Sequence, residues 1–330
     1  MSRASKLAIV GVGNWGKNLL RNFCALVGEE RVVACDADPK RLQELRAQHP
    51  SILTVSDFAA LLDDAHLDAV VIATPVVTHY ELARRALLAG KHVFVEKPIA
   101  LCSQEAQELI ELAERNECVL MVDHLLEYHP AVERLKQLVQ SGDLGEIFCL
   151  YSQRLNLGVI RTEENALWSL APHDISVMLY LLEQEPVRVH AHGACYLQKE
   201  IEDMVFVTLE FSKNILGHVH ASWLDPQKIR KLVVIGSKKM AIFDDPAPQK
   251  LIVLNKFATR KDRGFVLHDE GVHAVPIEAQ EPLQRACEHF LRCIERGEQP
   301  RSDGRDGLRV LRVLEAAQRS LDSEGAAVCL

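Results

Sequence analysis

Residues 6–23 read KLAIVGVGNWGKNLLRNF: a short apolar run, then Gly11-Val12-Gly13-Asn14-Trp15-Gly16, then a stretch of mixed polarity. Lys6–Val10 has the length and composition of a strand. Trp15, Leu19, Leu20, Phe23 and Val27 recur at helical spacing, so the glycines fall in the turn between a strand and a helix. Each has its own task there. One permits the tight turn, one lets backbone approach a pyrophosphate, and one lets the helix pack closely on the strand. The helix N-terminus then faces the phosphate charge. Asp36 ends the next strand-like run, Arg31–Cys35, at 20 residues beyond Gly16, where an acceptor for a ribose 2′-hydroxyl belongs. We therefore expect a dinucleotide site built on Gly11, Gly13, Asn14, Trp15, Gly16 and Asp36. A glycine-rich turn without ligand is the competing reading, and the Asp36 spacing argues against it. The carboxylate would repel a 2′-phosphate, which favours NAD over NADP, although Lys40 and Arg41 lie close by.

Outward from that stretch, Ala69–Ala73, His92–Val95 and Val119–Val122 are further strand-like runs separated by helical patterns. Leu82, Ala86 and Leu87 belong to one such pattern, closed by Ala89-Gly90. Strands alternating with crossover helices predict an α/β, doubly wound parallel sheet over residues 1–122, a Rossmann-type domain. The rhythm then changes. A helix over 130–140 is followed by a strand at 147–154 and a helix over 172–182. Strand patterns follow at 187–194, 204–211, 216–223, 231–235 and 240–243, with hairpin-type linkers such as Ser212-Lys213-Asn214. This predicts an α+β domain over 123–330, a largely antiparallel open sheet with helices on one face. Two closing helices, 283–296 and 307–320, are expected to pack back on the first domain or stay with the second.

Composition limits the function. With 330 residues, 48% hydrophobic and 25% charged, the chain can build two ordinary globular cores. Lys plus Arg number 38 against 46 Asp plus Glu, a net charge of −8, so no basic field favours nucleic acid. No apolar run approaches the roughly 20 residues of a membrane span, and the N-terminus has no leader-like apolar segment. The nine cysteines are odd in number and form no Cys-x-x-Cys pair, which fits reduced thiols in a cytoplasmic protein.

A second polar cluster is Thr74, Pro75 and His79 after one strand, and Glu96-Lys97-Pro98 after the next. Ligands bind at such carboxyl edges, so Thr74, Pro75, His79, Glu96 and Lys97 are cofactor-site candidates, with Lys97 placed to emerge at the cleft. GVGNWG, the ATP-x-x-x-H stretch from Ala73 and Glu96-Lys97-Pro98 together resemble the glucose-fructose oxidoreductase and inositol dehydrogenase family, Gfo/Idh/MocA. The likeness spans nearly the whole chain. It implies an NAD(P)-dependent dehydrogenase acting on CH–OH groups, with the second domain's sheet serving assembly into a homodimer or homotetramer. It also implies that Lys97 reaches the substrate hydroxyl and that a second-domain histidine acts with it.

The second half sharpens the match. Arg154-Leu155-Asn156-Leu157-Gly158, then Arg161, Asn165, Trp168 and Ala171-Pro172-His173-Asp174-Ile175-Ser176, is similar to the subgroup of that family that oxidises the 3-hydroxyl of UDP-N-acetylglucosaminuronate. Arg154, Asn156, Arg161, Asn165, Trp168, Asp174 and the linker residue Tyr128 are the substrate-binding candidates. Guanidinium forks at Arg154 and Arg161 would suit a diphosphate or carboxylate. The wider family carries an aspartate four residues before the histidine; here Ser169 stands there, which argues against a plain polyol substrate. His173, at a helix head that disfavours its charged form, is the expected general base with Lys97. Pro172-His173-Asp174 as a mere helix start is the bland alternative. Histidine pairs 190/192 and 218/220 share strand faces, but without zinc-site spacing no metal is expected. The alternatives to a sugar-nucleotide dehydrogenase are a dehydrogenase of a free polyol or monosaccharide, and a non-catalytic NAD-sensing regulator.

Overall fold

The computed structural model describes residues 5–330; the first four residues, part of the 1–122 span and of the N-terminal reading, lie outside the described residues. In chain order the elements are β1 (Leu7–Val10), α1 (Gly16–Val27), β2 (Val32–Cys35), α2 (Pro39–Gln48), β3 (Leu53–Val55), α3 (Phe58–Leu62), β4 (Ala69–Ile72), α4 (His79–Leu88), β5 (His92–Val95), α5 (Ser103–Arg115) and β6 (Leu120–Val122). Next come α6 (Pro130–Gln140), β7 (Ile147–Leu155), α7 (Ala166–Leu170), α8 (Pro172–Leu182), β8 (Arg188–Ala194), β9 (Met204–Glu210), β10 (Leu216–Ser222), β11 (Ile229–Gly236), β12 (Met240–Asp244), β13 (Leu251–Lys261) and β14 (Gly264–Ala274). The chain closes with α9 (Pro282–Arg296), α10 (Gly304–Asp322) and β15 (Val328–Cys329). Two compact units result: residues 1–125 with 281–311, and residues 126–280 with 312–330.

The first unit is a six-stranded parallel sheet in the order β3-β2-β1-β4-β5-β6. Its inner strands β1, β2 and β4 are buried throughout, as strands covered on both faces must be. Local chemistry starts the helices. Asp38 accepts the Lys40 N–H at 2.9 Å ahead of Pro39 at the start of α2, and Asp57 accepts the Ala59 N–H at 2.8 Å ahead of α3. Helix α9 returns to this unit: Phe23 of α1, Phe94 of β5 and Phe290 of α9 form an edge-to-face trio with centroids 5.5–6.3 Å apart. Arg21 pairs with Glu281 beside it.

The second unit is a nine-stranded sheet in the order β14-β13-β12-β11-β7-β10-β9-β8-β15. Every pairing is antiparallel except β7 with β10. Period-two alternation sorts the side chains. Leu150, Val207, Leu209, Val219, Leu232 and Val234 point into the core under α6, α7 and α8, while Tyr151, Phe206 and His218 point to the open face. In β13 the alternation is confined to its start, where Leu251 and Val253 are buried, and β14 has none. Almost all of β14 is exposed, so the hydrophobic pattern that reveals the other strands is missing and the hairpin is defined by backbone pairing around Asp262, which adopts φ +53°.

Candidate active site

In the first unit the glycine turn has the geometry its sequence predicts. Gly11 adopts φ +89°, and a Cβ there would lie 2.7 Å from the Ala73 carbonyl oxygen; at Gly16 a Cβ would lie 1.8 Å from the Gly11 oxygen. At Gly13 the nearest atom is the Arg41 Nη1 at 3.6 Å, which leaves the backbone open to a ligand. No side chain caps the N-terminus of α1; the Lys17 N–H bonds the Gly13 carbonyl and the Asn18 N–H the Trp15 carbonyl within the turn, so no polar side chain occupies this end. Asn14 and Trp15 are exposed above it. Asp36 is buried at the end of β2: Oδ2 accepts the Val12 N–H and Oδ1 accepts the Asp38 N–H, each at 2.9 Å. The carboxylate is thereby aimed along the edge of the sheet. Arg41 approaches the same carboxylate at 3.5 Å, a cation that partly offsets its repulsion of a phosphate. An open, uncapped cradle with a fixed acidic end fits a dinucleotide.

The next two strand ends complete this edge. Thr74 Oγ1 and Thr78 Oγ1 are 2.7 Å apart, and Pro75 lends its carbonyl to the Thr78 hydroxyl. His79 is buried with Nδ1 2.8 Å from the Pro98 carbonyl and Nε2 2.9 Å from the Thr74 carbonyl, so its ring ties the loop after β4 to the loop after β5. Burial holds the His79 ring below its ordinary pKa. Glu96 and Lys97 follow β5 directly, and the Lys97–Pro98 peptide is cis. Lys97 is partly exposed. Asp123 ends β6 in register beside Glu96, since Val95 and Val122 are paired.

In the second unit, His173 is partly exposed in the first turn of α8. Its neighbour Asp174 is buried and takes Arg154 of β7 in a two-point ion pair, Nε to Oδ2 at 2.5 Å and Nη2 to Oδ1 at 3.4 Å. The pair pins the head of α8 to the sheet. Asn165 is likewise engaged: its Oδ1 caps α7 at Trp168, and its Nδ2 donates to Glu202 and Gln318. The Trp168 indole donates to the same Gln318 oxygen at 3.0 Å. Asn156 and Arg161 are exposed in the loop between β7 and α7, and Tyr128 is 2% exposed.

Sequence reasoning missed Arg230. It pairs across strands with Arg154 and shares the inward parity of Leu232 and Val234, and that parity is the signal that could have found it. Burial and the Arg154 charge lower its pKa. Asp245 meets it at only 3.7 Å. A half-buried guanidinium with a loose partner, beside an arginine already committed to Asp174, is suited to an anionic ligand. The histidine pairs serve otherwise: His190 bonds Glu210 at 3.0 Å, and Phe206 stacks on both His218 and His220.

Residues 5–124 match the family model for the oxidoreductase family with an NAD-binding Rossmann fold, and residues 132–242 match the GFO/IDH/MocA C-terminal domain. The UDP-N-acetylglucosamine 3-dehydrogenase of Acidithiobacillus ferrooxidans is 28% identical over 93% of this chain and 94% of its own. A solved structure of that enzyme superposes with a TM-score of 0.83, at 26% identity, over 96% of this chain and 97% of the other. A structure from Magnetospirillum magnetotacticum MS-1, described as an oxidoreductase, is 31% identical over 95% and 99% of the two chains, with a TM-score of 0.81. Inositol 2-dehydrogenase 2 of Saccharopolyspora erythraea is 30% identical over 64% of this chain and 65% of its own. With both domain models matched in order and the glycine turn, Asp36 and Lys97 at the carboxyl ends of β1, β2 and β5, the chain belongs to the Gfo/Idh/MocA family and is a dehydrogenase acting on CH–OH groups.

Proposed function

We propose that the chain oxidises a secondary hydroxyl, at C3, of a nucleotide-linked sugar such as UDP-N-acetylglucosaminuronate, with NAD as the hydride acceptor. The observation that carries the substrate class is the Arg154–Arg230 cross-strand pair beside the helix that bears His173. A neutral polyol gives a half-buried arginine nothing to pair with. A uronate carboxylate or a diphosphate does. The similarity to a UDP-N-acetylglucosamine 3-dehydrogenase supports the same class.

The cofactor would rest on Gly11, Gly13 and Gly16, with its ribose at Asp36 and its nicotinamide toward Thr74, Pro75 and Lys97. Bound there, NAD supplies the acceptor for the substrate's hydride. The hydroxyl O–H must break as the C–H bond does, and Lys97 Nζ, entering as a neutral amine, takes that proton. His173 acts with it by hydrogen-bonding the same hydroxyl oxygen, and takes that one proton in place of Lys97 where the amine is charged. Asn156, Arg161 and Arg230 hold the anionic part of the substrate, while Arg154 and Asp174 position His173 by fixing the head of α8. Incubation with NAD and a panel of sugar nucleotides, read by nicotinamide absorbance and by product mass, tests this. Oxidation of free inositol with no product from any UDP-sugar would select the polyol reading, which the inositol dehydrogenase relatives favour.

Two predictions belong here. Asp36→Ala should weaken NAD by about 1.5–3 kcal/mol, the worth of a hydrogen bond to a charged acceptor, or roughly 10- to 150-fold. Because that change also frees the Val12 and Asp38 N–H groups, the ratio of NAD to NADP dissociation constants is the cleaner readout. An unchanged ratio places the ribose elsewhere. Arg230→Met should raise KM for a UDP-uronate at least tenfold while leaving NAD affinity intact, and equal KM values would remove Arg230 from the site.

We also assign the open sheet face to assembly as a homodimer or homotetramer, since Tyr151, Phe206 and Leu216 are 38–47% exposed on it. Light scattering of the purified protein decides this, and a monomer at micromolar concentration would refute it. Among the described residues no helix is long and apolar enough to cross a membrane. The nine cysteines are all unpaired, as suits the cytoplasm we assign to it.

A further inference from the structure

We propose that Glu96 and Asp123 share one proton, and so present a single negative charge, not two, to the ammonium of Lys97. The two carboxyl groups leave adjacent parallel strands in register, and the Asp123 N–H is bonded to the Val95 carbonyl at 2.9 Å, which fixes them side by side. Asp123 is wholly buried. Both of its carboxyl oxygens and Oε1 of Glu96 are sealed from solvent without a well-formed hydrogen bond, and the Trp15 indole is a neighbouring donor to both acids. Three buried acceptors so poorly satisfied are costly, and two ionised carboxylates in contact would add repulsion. A proton placed between them removes both costs by turning one acid into the donor.

The surroundings agree. Burial, followed by the charge of Asp123, pushes Glu96 well above the ordinary carboxyl range, and burial raises Asp123 as well. The groups facing the pair are Lys97, the Trp15 indole, His124 and the Cys287 thiol of α9. The Trp15 indole, Lys97 and His124 pull toward ionisation, the indole more than either charge at Asp123, and Cys287 is itself driven up by burial and by both acids. His124 is committed to Asp306 at 2.6 Å. A pair ionised twice would hold Lys97 as ammonium; one retained proton leaves the amine able to act as a base. That consequence rests on the reading of Lys97 given above, whereas the sharing of the proton does not.

The test counts charges. Acetylation of the Lys97 amine by acetic anhydride, followed by mass spectrometry across pH, reads its ionisation without any substrate. In Asp123→Asn the amide N–H replaces the shared proton and Glu96 keeps the one charge, so the Lys97 midpoint should stay at the wild-type value. In Glu96→Gln/Asp123→Asn the charge is gone, and the midpoint should fall by about 1–3 pH units. Equal downward steps for the first and second substitution would show two charges in the wild type and overturn the proposal. Infrared spectroscopy gives a second readout. A protonated-carboxyl carbonyl band that shifts in heavy water should be present in the wild type at neutral pH and lost in either single variant; its absence from the wild type also overturns the proposal. Should the midpoints behave as stated while Lys97→Ala retains full turnover, the proton sharing stands and the catalytic reading of Lys97 falls.

Discussion

Lys97→Ala and His173→Ala are each expected to lower kcat by about 10²–10⁴, the usual range for loss of a positioned general base, while leaving NAD affinity nearly intact. Lys97 stands at the end of β5, beyond the glycine turn and Asp36 that would carry the cofactor's phosphates and ribose. Its removal therefore leaves the main binding contacts in place. His173 belongs to the other compact unit. If both groups handle the same hydroxyl proton, the double variant should lose less than the product of the two single losses, because residues that act as a unit are not additive. Single-turnover absorbance with enzyme in excess measures the chemical step directly. Near-normal kcat in His173→Ala beside a dead Lys97→Ala would leave Lys97 as the sole base and His173 as part of a helix start.

The strand-end residues of the candidate cofactor site were legible because their signals are local. Three glycines, an acid twenty residues on and a lysine before a proline each sit within a few residues of a strand end, and the strands themselves read as unbroken apolar runs. The surroundings of the candidate substrate residues were legible only in outline. Arg154 and Arg161 look alike in sequence, two cations flanking a glycine loop. In the fold one is sunk against Asp174 and the other is exposed near Glu164. What separates them is strand parity: Arg154 shares the inward face with Leu150 and Ser152, and Arg161 lies beyond the strand. The same parity sets Arg230 on that face at the exposed start of β11, but recognising it requires knowing that β11 pairs with β7. Likewise Glu96 and Asp123 are 27 positions apart and become neighbours only through the register of β5 with β6. Pairings of distant strands are set by packing across the sheet and leave no local mark.

The Arg154–Asp174 pair also carries the largest expected effect on stability. Both side chains are at most one-tenth exposed, and their contact is short and two-pointed. Asp174→Asn would leave the Arg154 guanidinium buried without its counter-charge and next to Arg230, whose own partner Asp245 is 3.7 Å away. Breaking one side of a buried pair costs about 3–5 kcal/mol. For a unit of this size that lowers its thermal midpoint by roughly 6–20 °C. The compensated variant Arg154→Met/Asp174→Leu removes both charges and keeps the volume, so most of the lost stability should return. Calorimetry of the three proteins separates the charge effect from simple loss of packing. A drop of less than about 2 °C in Asp174→Asn would mean that water reaches Arg154 and solvates it. A double variant no more stable than Asp174→Asn would mean that the pair holds α8 by its geometry, through the two hydrogen bonds, more than by its charge.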